Sequence, residues 1–355
     1  MTWAISVSIV AFRSLLFDSD NCKSLIPTPP PIASQGNLLV KTSTAEVLYR
    51  PTDEQLRFLP EGPYSLGEDR LSWVSIQFSP ESQVGALNFL NTETGTNESH
   101  PLPGRPGFAF PTTDDQIFIV GLERQVVLYD IRKGIVDVLA DDIDGEISGT
   151  IINDGVLLRD GVVFGCKDTS FTEHKAGLYF LRRSDRRLFT LRTDHLCSNG
   201  KVVHPLGGDR FELLDIDTPT KKVVRHELDT DTGELTEATV SIDLTDDIAF
   251  PDGMIELPGK DAVVIAMFNP ESASMGHAKR FCLKSGELDG VWEVPGSPQV
   301  TCPQLARIQG EVKLVLTTAA ENMSDEKKAE HPNAGCLFMA DVDVDEIGES
   351  PRWEL

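Results

Sequence analysis

Cysteine and histidine are few and scattered in this sequence, which excludes several classes of protein. The 355 residues contain six cysteines and seven histidines. No two cysteines form a CxxC pair, so the sequence indicates neither a zinc cage nor a dense disulfide framework. This pattern favours a reducing compartment. We predict a cytoplasmic protein, with a secreted or periplasmic location as the alternative.

Positive charge is also in short supply. The chain has 32 basic and 56 acidic residues, a formal net charge of −24. Such a surface repels nucleic acid and anionic membranes. We therefore expect no nucleic acid partner and no membrane partner, and instead a neutral or cationic molecule or a metal ion.

Long hydrophobic runs are missing as well. The apolar segment at residues 1–17 is too short to span a bilayer, and it lacks the early positive charge and the cleavage site of a secretory leader. Residues 18–37 carry four prolines between positions 27 and 31, which is typical of an extended linker. We predict an N-terminal extension and Pro-rich linker over residues 1–37 and a single folded domain over residues 38–355.

What the sequence does contain is a recurring unit of strand, charged turn and strand. Helix-breaking residues are plentiful, with 28 glycines and 22 prolines, and no long stretch has a helical period. Both features favour many short strands. The turn centres lie near residues 94, 133, 184, 232 and 285. They are about 39 to 53 residues apart, a hairpin period typical of β-propellers.

This period predicts an all-β fold, a six-bladed β-propeller. Residues 50–345 divide into six repeats of about 49 residues. We expect residues 45–49 to pair beside residues 336–340, so that N- and C-terminal strands close the ring and leave no open edge. A pair of β-sandwiches is the alternative, and the roughly even hairpin spacing favours the propeller.

Four short polar motifs recur roughly in phase with the blades. Each taken alone is an ordinary turn sequence. In a propeller, however, equivalent positions converge on the central axis, so their side-chain oxygens are expected to surround one point. Two carboxylates and two amides suit a hard cation, and we predict one divalent metal ion, Ca²⁺ first, with Mg²⁺, Mn²⁺ or Zn²⁺ as alternatives. The motifs are Pro60-Glu61-Gly62-Pro63, Asn153-Asp154-Gly155, Ser198-Asn199-Gly200 and Pro251-Asp252-Gly253.

The order of these motifs resembles that of the SMP-30/gluconolactonase (regucalcin-like) family, six-bladed propellers that include metal-dependent lactonases. The resemblance covers roughly residues 45–345. It implies that Glu61, Asn199 and Asp252 are metal ligands, that Asn153 contacts the substrate or the metal's water, and that Asp252 is also the catalytic acid/base. The segments that carry it are residues 59–63, 71–76, 153–155, 160–165, 177–179, 198–200, 231–235, 250–254 and 317–319.

The sequence departs from the family pattern at one position that matters for the substrate. Family lactonases commonly have an arginine two residues before the asparagine, and here that residue is Ile151. Lys167 and Asp168 follow in the same blade, where related proteins place further pocket residues, and we predict that they bind substrate. Asp215 and Asp217 are expected to support the site from behind it.

These residues predict a metal-dependent hydrolase of the gluconolactonase type, a carboxylic ester hydrolase. A divalent cation polarises the carbonyl of a small-molecule lactone and stabilises the oxyanion formed by water attack, while a carboxylate takes the water's proton. The product is the open hydroxy acid. We expect a monomer or dimer. Two alternatives stay open: a non-catalytic calcium-binding propeller, and a related aryl-ester or phosphotriester hydrolase.

Overall fold

The structure is a computed structural model that describes residues 40–348 and 350–355. The extension and linker predicted for residues 1–37 lie outside the described residues, so the division into two parts stays a prediction. The helical segments within the described ranges are too short and too polar to cross a bilayer.

The described strands form six sheets, each built mainly from four consecutive antiparallel strands. The first strands are β1 (Lys41–Thr44) and β2 (Glu46–Tyr49). Blade 1 contains β3 (Pro60–Ser65), β4 (Arg70–Ser75), β5 (Ala86–Asn91) and β6 (Thr96–Pro101). Blade 2 contains β7 (Pro106–Pro111), β8 (Ile117–Leu122), β9 (Gln125–Asp130) and β10 (Gly134–Ala140). Blade 3 contains β11 (Thr150–Leu158), β12 (Gly161–Asp168), β13 (Ala176–Arg182) and β14 (Leu188–His195).

The second half of the chain repeats this arrangement. Blade 4 contains β15 (Ser198–Gly207), β16 (Arg210–Asp217), β17 (Lys222–Asp229) and β18 (Thr239–Asp243). Blade 5 contains β19 (Phe250–Leu257), β20 (Ala262–Phe268), β21 (Met275–Cys282) and β22 (Leu288–Pro295). Blade 6 contains β23 (Val300–Ile308), β24 (Glu311–Thr318) and β25 (Leu337–Asp341). Three short helices occur in the connections: 3-10 helices at Glu54–Arg57 and Thr218–Thr220, and α1 at Asp325–Glu330.

The apolar runs of the sequence become the middle strands of the blades. β20 reads Ala-Val-Val-Ile-Ala-Met-Phe and is buried along almost its whole length, because neighbouring blades cover both of its faces. The outer strand β10 is mostly exposed. Aromatic residues fill the space between blades; the rings of Phe108 and Phe164, from blades 2 and 3, lie with their centroids 6.0 Å apart. The core is therefore a series of packed layers arranged around the ring.

The ring closes as predicted. β2 pairs antiparallel with β25, with Glu46 opposite Met339 and Val47 opposite Phe338, and so supplies the outer strand of blade 6. β1 was not predicted. It adds a fifth strand to blade 5 by parallel pairing with β22, with Lys41 opposite Gly290.

Each innermost strand carries a shift of register near its start, in the manner of a β-bulge. A bulge re-aims the side chains around it. The shifts occur between Glu61 and Tyr64, Pro106 and Phe108, Ile152 and Asp154, Asn199 and Lys201, Pro251 and Met254, and Val300 and Pro303. The polar motifs, which alone are typical of turns, are thus irregularities within strands.

Glycine at these bulges allows adjacent blades to approach closely. A Cβ on Gly200 would lie 2.5 Å from the backbone nitrogen of Met254, and one on Gly253 would lie 2.8 Å from the Cα of Cys302. Neither contact is possible for a larger residue without moving backbone. The glycine that follows Asn199 and the one that follows Asp252 therefore set the spacing of the inner strands.

Candidate active site

A cavity of about 750 Å³ lies at the end of the channel where the innermost strands begin. Five of the six predicted site residues line it: Glu61, Asn153, Lys167, Asn199 and Asp252. They come from blades 1, 3, 4 and 5. The propeller therefore brings together side chains that are far apart in sequence.

The sixth predicted residue, Asp168, is not part of this lining. Its fully buried carboxylate accepts hydrogen bonds from the backbone nitrogens of Ser170, Thr172 and Glu173, and from two hydroxyls. Lys175 Nζ lies 3.3 Å away. Burial alone would raise the pKa of Asp168, but these hydrogen bonds hold it well below its usual value. Asp168, the last residue of β12, therefore holds the loop that follows this strand, and its role in substrate binding stays a prediction.

The two amides are held by a chain of hydrogen bonds that crosses three blades. Asn153 Nδ2 donates to Asn199 Oδ1 and to the carbonyl oxygen of Ser198, both at 2.9 Å. Asn199 Nδ2 donates to Thr218 Oγ1 at 2.7 Å, and that hydroxyl donates to the carbonyl oxygen of Pro251 at 2.8 Å. The orientation of Asn199 Oδ1 is therefore fixed by its neighbours.

The two carboxylates, in contrast, have almost no partners. Glu61 accepts one hydrogen bond, from the backbone nitrogen of Gly62 at 2.9 Å. Among the described residues, none donates a hydrogen bond to the Asp252 carboxylate or forms an ion pair with it. Burial raises the pKa of Glu61 and of Asp252, and repulsion from Asp154 raises both further. Repulsion from Glu61 adds to the rise in the pKa of Asp252. Negative charge here is in excess.

The positive charge of Lys167 acts against this excess, since it lowers the pKa of both Glu61 and Asp252. Lys167 lies on β12 directly opposite Ile151, whose side chain is buried in the core. Within residues 40–348 and 350–355, no side chain or carbonyl forms an ion pair or hydrogen bond with the Lys167 ammonium. Arg105 also lines the cavity, but its guanidinium is bound to both carboxylate oxygens of Glu123 at 2.7 and 2.8 Å. Lys167 is therefore the cation that remains available.

The strand that carries Asn199 is supported from behind. Asp215 Oδ2 lies 2.8 Å from His195 Nε2, and Oδ1 lies 3.4 Å from Lys201 Nζ. Lys201 donates to Ser198 Oγ at 2.8 Å and to the carbonyl oxygen of Asn199 at 2.5 Å. All the charged groups in this set are buried and paired.

Asp217 supports the segment that enters the same strand. Its Oδ1 accepts hydrogen bonds from the backbone nitrogens of Leu196 and Cys197, at 3.1 and 2.8 Å. His174 lies 3.6 Å from the other oxygen and is mostly exposed. Asp217 thus acts on the backbone just before Asn199.

The donor set fits a hard divalent cation. No three histidine, cysteine or carboxylate side chains converge as a metal site in the part of the chain that the structure describes. A site built on Glu61 and Asp252 therefore needs an amide as its third ligand, and Asn199 provides an oriented oxygen. Buried carboxylates that form no ion pair, together with an amide oxygen, are the donors that such cations take.

The lining residues that escaped the sequence analysis include Thr218, Glu321 and Phe171. Thr218 directly follows Asp217, and Glu321 lies two residues after the motif at 317–319. Their closeness to residues already singled out could therefore have identified them from the sequence. Phe171 belongs to an irregular loop, and nothing in its sequence context indicates a place in the cavity.

Comparisons with known proteins agree with this architecture. The profile of the SMP-30/Gluconolactonase/LRE-like region matches residues 59–320. A Bacillus subtilis protein named as a candidate sugar lactone lactonase is 30% identical over 177 residues, which cover 48% of this chain and 55% of the relative. The chain thus spans about half the length of that relative. An L-arabinolactonase of Azospirillum brasilense is 25% identical over 245 residues, 68% of this chain and 75% of the relative.

Two solved structures share the fold. Regucalcin from Agrobacterium tumefaciens, described as a calcium-binding protein, has a TM-score of 0.72 at 22% identity and covers 89% of this chain and 99% of its own. A gluconolactonase from Xanthomonas campestris has a TM-score of 0.56 at 15% identity, covering 83% and 88%. With the profile match over well over half of its length, the chain belongs to the SMP-30/gluconolactonase family of six-bladed β-propellers.

Proposed function

We propose that this protein is a metal-dependent lactone hydrolase that opens a small-molecule lactone to its hydroxy acid. The observation that carries the proposal is the pair of buried carboxylates, Glu61 and Asp252, which share one cavity with an oriented amide oxygen and form no ion pair among the described residues. The lactonase names of the two sequence relatives support the reaction type.

Glu61, Asn199 and Asp252 would hold the cation. A divalent ion bound there would polarise the lactone carbonyl and would lower the pKa of a water molecule. Calcium is our first choice because every donor is an oxygen. The calcium-binding description of one structural neighbour supports that choice, and Mg²⁺, Mn²⁺ and Zn²⁺ are the alternatives.

The chain's own residues supply the remaining steps. Asp252 accepts a proton from the attacking water, whose oxygen bonds to the carbonyl carbon. The bond between that carbon and the ring oxygen then breaks, and the ring oxygen takes the proton held by Asp252 to become the hydroxyl of the product. Lys167 is positioned to attract the carbonyl oxygen as negative charge develops on it. Asn153 keeps the Asn199 oxygen turned toward the cavity.

The test is acid release from aldonolactones and aliphatic lactones, followed with a pH indicator after chelation and after adding back each of the four ions. We expect at least one ion to restore turnover. Glu61→Gln and Asp252→Asn should abolish it while their circular dichroism stays native. Glu98→Gln, an exposed glutamate on β6 of the same blade, is the matched control and should keep wild-type turnover.

Two outcomes would overturn this proposal. An ion that raises the melting temperature of the protein while no substrate is turned over indicates the calcium-binding propeller without catalysis. Turnover of aryl esters or phosphotriesters, but of no lactone, indicates the related hydrolase.

A further inference from the structure

The cavity wall differs from its floor. The floor is the buried part of the lining, which contains the acidic and amidic side chains described above together with the apolar Leu59, Ile76 and Leu196. Nearer the opening, six apolar side chains line the cavity, and all of them are partly or fully exposed. They are Pro80, Phe171, Pro219, Phe250, Phe268 and Pro270.

Phe171 is the most unusual of these residues. Its side chain is 53% exposed, which is costly for a large aromatic group in water. Its backbone lies in the left-handed region with φ of 54°, which bulky residues rarely adopt. The backbone nitrogen of Phe171 donates to the Asp168 carbonyl, and the Asp168 carboxylate binds the residues on both sides. The loop thus holds an exposed aromatic ring at the opening of the cavity.

Three polar side chains of the wall, Gln77, Thr169 and Arg105, are already occupied. Gln77 Nε2 donates to the carbonyl oxygen of Ser79 at 3.0 Å, and Thr169 Oγ1 donates to that of Gly149 at 2.9 Å. The Arg105 guanidinium is bound to Glu123. Lys167 and Asn322 are the lining side chains whose donors have no partner among the described residues. Hydroxyls of a sugar ring that lay against the six apolar side chains would be buried without partners, which is unfavourable.

We propose, on the basis of the lactonase activity proposed above, that the preferred substrate is a lactone whose ring carries an apolar alkyl or aryl substituent. The ring lies against the polar floor, and the substituent packs against Phe171, Phe250 and Phe268. Polyhydroxylated sugar lactones are poor substrates, because Ile151 offers no hydrogen bonds and the wall offers few. The substituent makes the same contacts in the ground state and in the transition state. It therefore lowers KM without changing kcat, and its effect is measured as a rise in kcat/KM.

The experiment compares γ-butyrolactone with its γ-methyl, γ-butyl and γ-octyl derivatives and with glucono-δ-lactone. We expect kcat/KM to rise by up to about fourfold for each buried methylene until the wall is covered. Phe171→Ala should lower the ratio of kcat/KM for the γ-octyl compound to kcat/KM for γ-butyrolactone by about tenfold. Leu206→Ala, which removes a side chain that is also 53% exposed but lies outside the cavity lining, should change neither value.

The outcomes separate this inference from the proposed function. If lactones are hydrolysed but kcat/KM does not rise with the length of the γ-alkyl group, or is highest for glucono-δ-lactone, the proposed substrate class is wrong. The proposal of lactone hydrolysis then still stands. When no lactone is opened, binding of the corresponding γ-lactams is measured by calorimetry. Affinity that rises with chain length and falls in Phe171→Ala supports the apolar wall and overturns only hydrolysis, whereas affinity independent of both overturns the substrate class as well.

Discussion

Two buried groups of charged side chains in this propeller differ in how their charges are balanced. In the paired cluster, formed by His195, Lys201 and Asp215, burial would raise the pKa of Asp215, but the nearby cations hold it well below its usual value. In the acid pair, formed by Glu61 and Asp252, burial acts in the same direction and like charges add to it. The counter-charge therefore decides the outcome of burial.

This difference separates a structural role from a functional one. Every charge of the paired cluster has a partner, and the cluster supports the backbone at Asn199. The acid pair stabilises nothing by itself, because two buried carboxylates repel each other. Such an imbalance is typical of sites that bind or react.

The largest expected effect comes from breaking the paired cluster. Asp215→Asn leaves the Lys201 ammonium buried without its counter-charge, and we expect the free energy of unfolding to fall by about 3 to 5 kcal/mol. Urea unfolding measures this loss. The double variant Lys201→Met with Asp215→Asn removes both charges and should recover part of it. A single variant as stable as the wild type would mean that the pair contributes no stability.

The same substitution in the acid pair should act in the opposite direction. Without metal, Asp252→Asn removes a repelled carboxylate, so the variant should be at least as stable as the wild type. With calcium at 100 times its dissociation constant, the wild type should gain about 2.7 kcal/mol and the variant nothing. Thermal unfolding with and without chelator checks both statements. Asp231→Asn, at an exposed site, is the control and should keep the full gain.

Asn153 tests whether the hydrogen bonds around the acid pair orient its third ligand. Asn153→Ala removes the donor to Asn199 Oδ1, and calcium affinity measured by calorimetry should weaken by about 10 to 100-fold. Asn91→Ala, which removes an amide that only accepts from Thr94 in a hairpin turn, should leave affinity unchanged. Equal losses in the two variants would indicate general destabilisation.

The smallest expected effect on stability concerns Asp168, whose carboxylate accepts hydrogen bonds from the following loop and lies near the part-exposed Lys175. Its pKa is lowered on folding, so its contribution is present above the unfolded value of about 3.9 and is lost as the pH falls below it. At neutral pH, Asp168→Asn should be less stable by about 1.5 kcal/mol, the low end for bonds to a charged group. Urea unfolding between about pH 3 and pH 7 should show this difference shrinking on the acid side. A difference that grows on acidification would contradict this assignment.

The blades and the site floor could be predicted because their signals are local. The turns repeat at a regular interval, and each of Asn199 and Asp252 is followed by a glycine that close packing of adjacent blades requires. β1 was missed because Lys-Thr-Ser-Thr has no apolar face and its parallel partner lies about 250 residues away in the chain. Long-range parallel pairing leaves no pattern in a short polar segment.

Asp168 and Phe171 show where the reasoning from sequence fails. Lys167 and Asp168 are neighbours, but successive side chains of a strand point to opposite faces, so only one of them can line the cavity. The position of Phe171 depends on the conformation of an irregular loop, which hydrophobic period and motif spacing do not describe. Both outcomes depend on backbone geometry at the level of single residues.

The pairing of β2 with β25 also determines when this protein can finish folding. About 290 residues separate the two strands, and ribosomes add roughly 5 to 20 residues per second, so β2 is synthesised some 15 to 60 seconds before its partner. During that interval the growing chain has an unsatisfied sheet edge at each end of an incomplete ring. Nascent copies are then most exposed to mispairing with one another, and protection by a chaperone would matter most for this stage of synthesis.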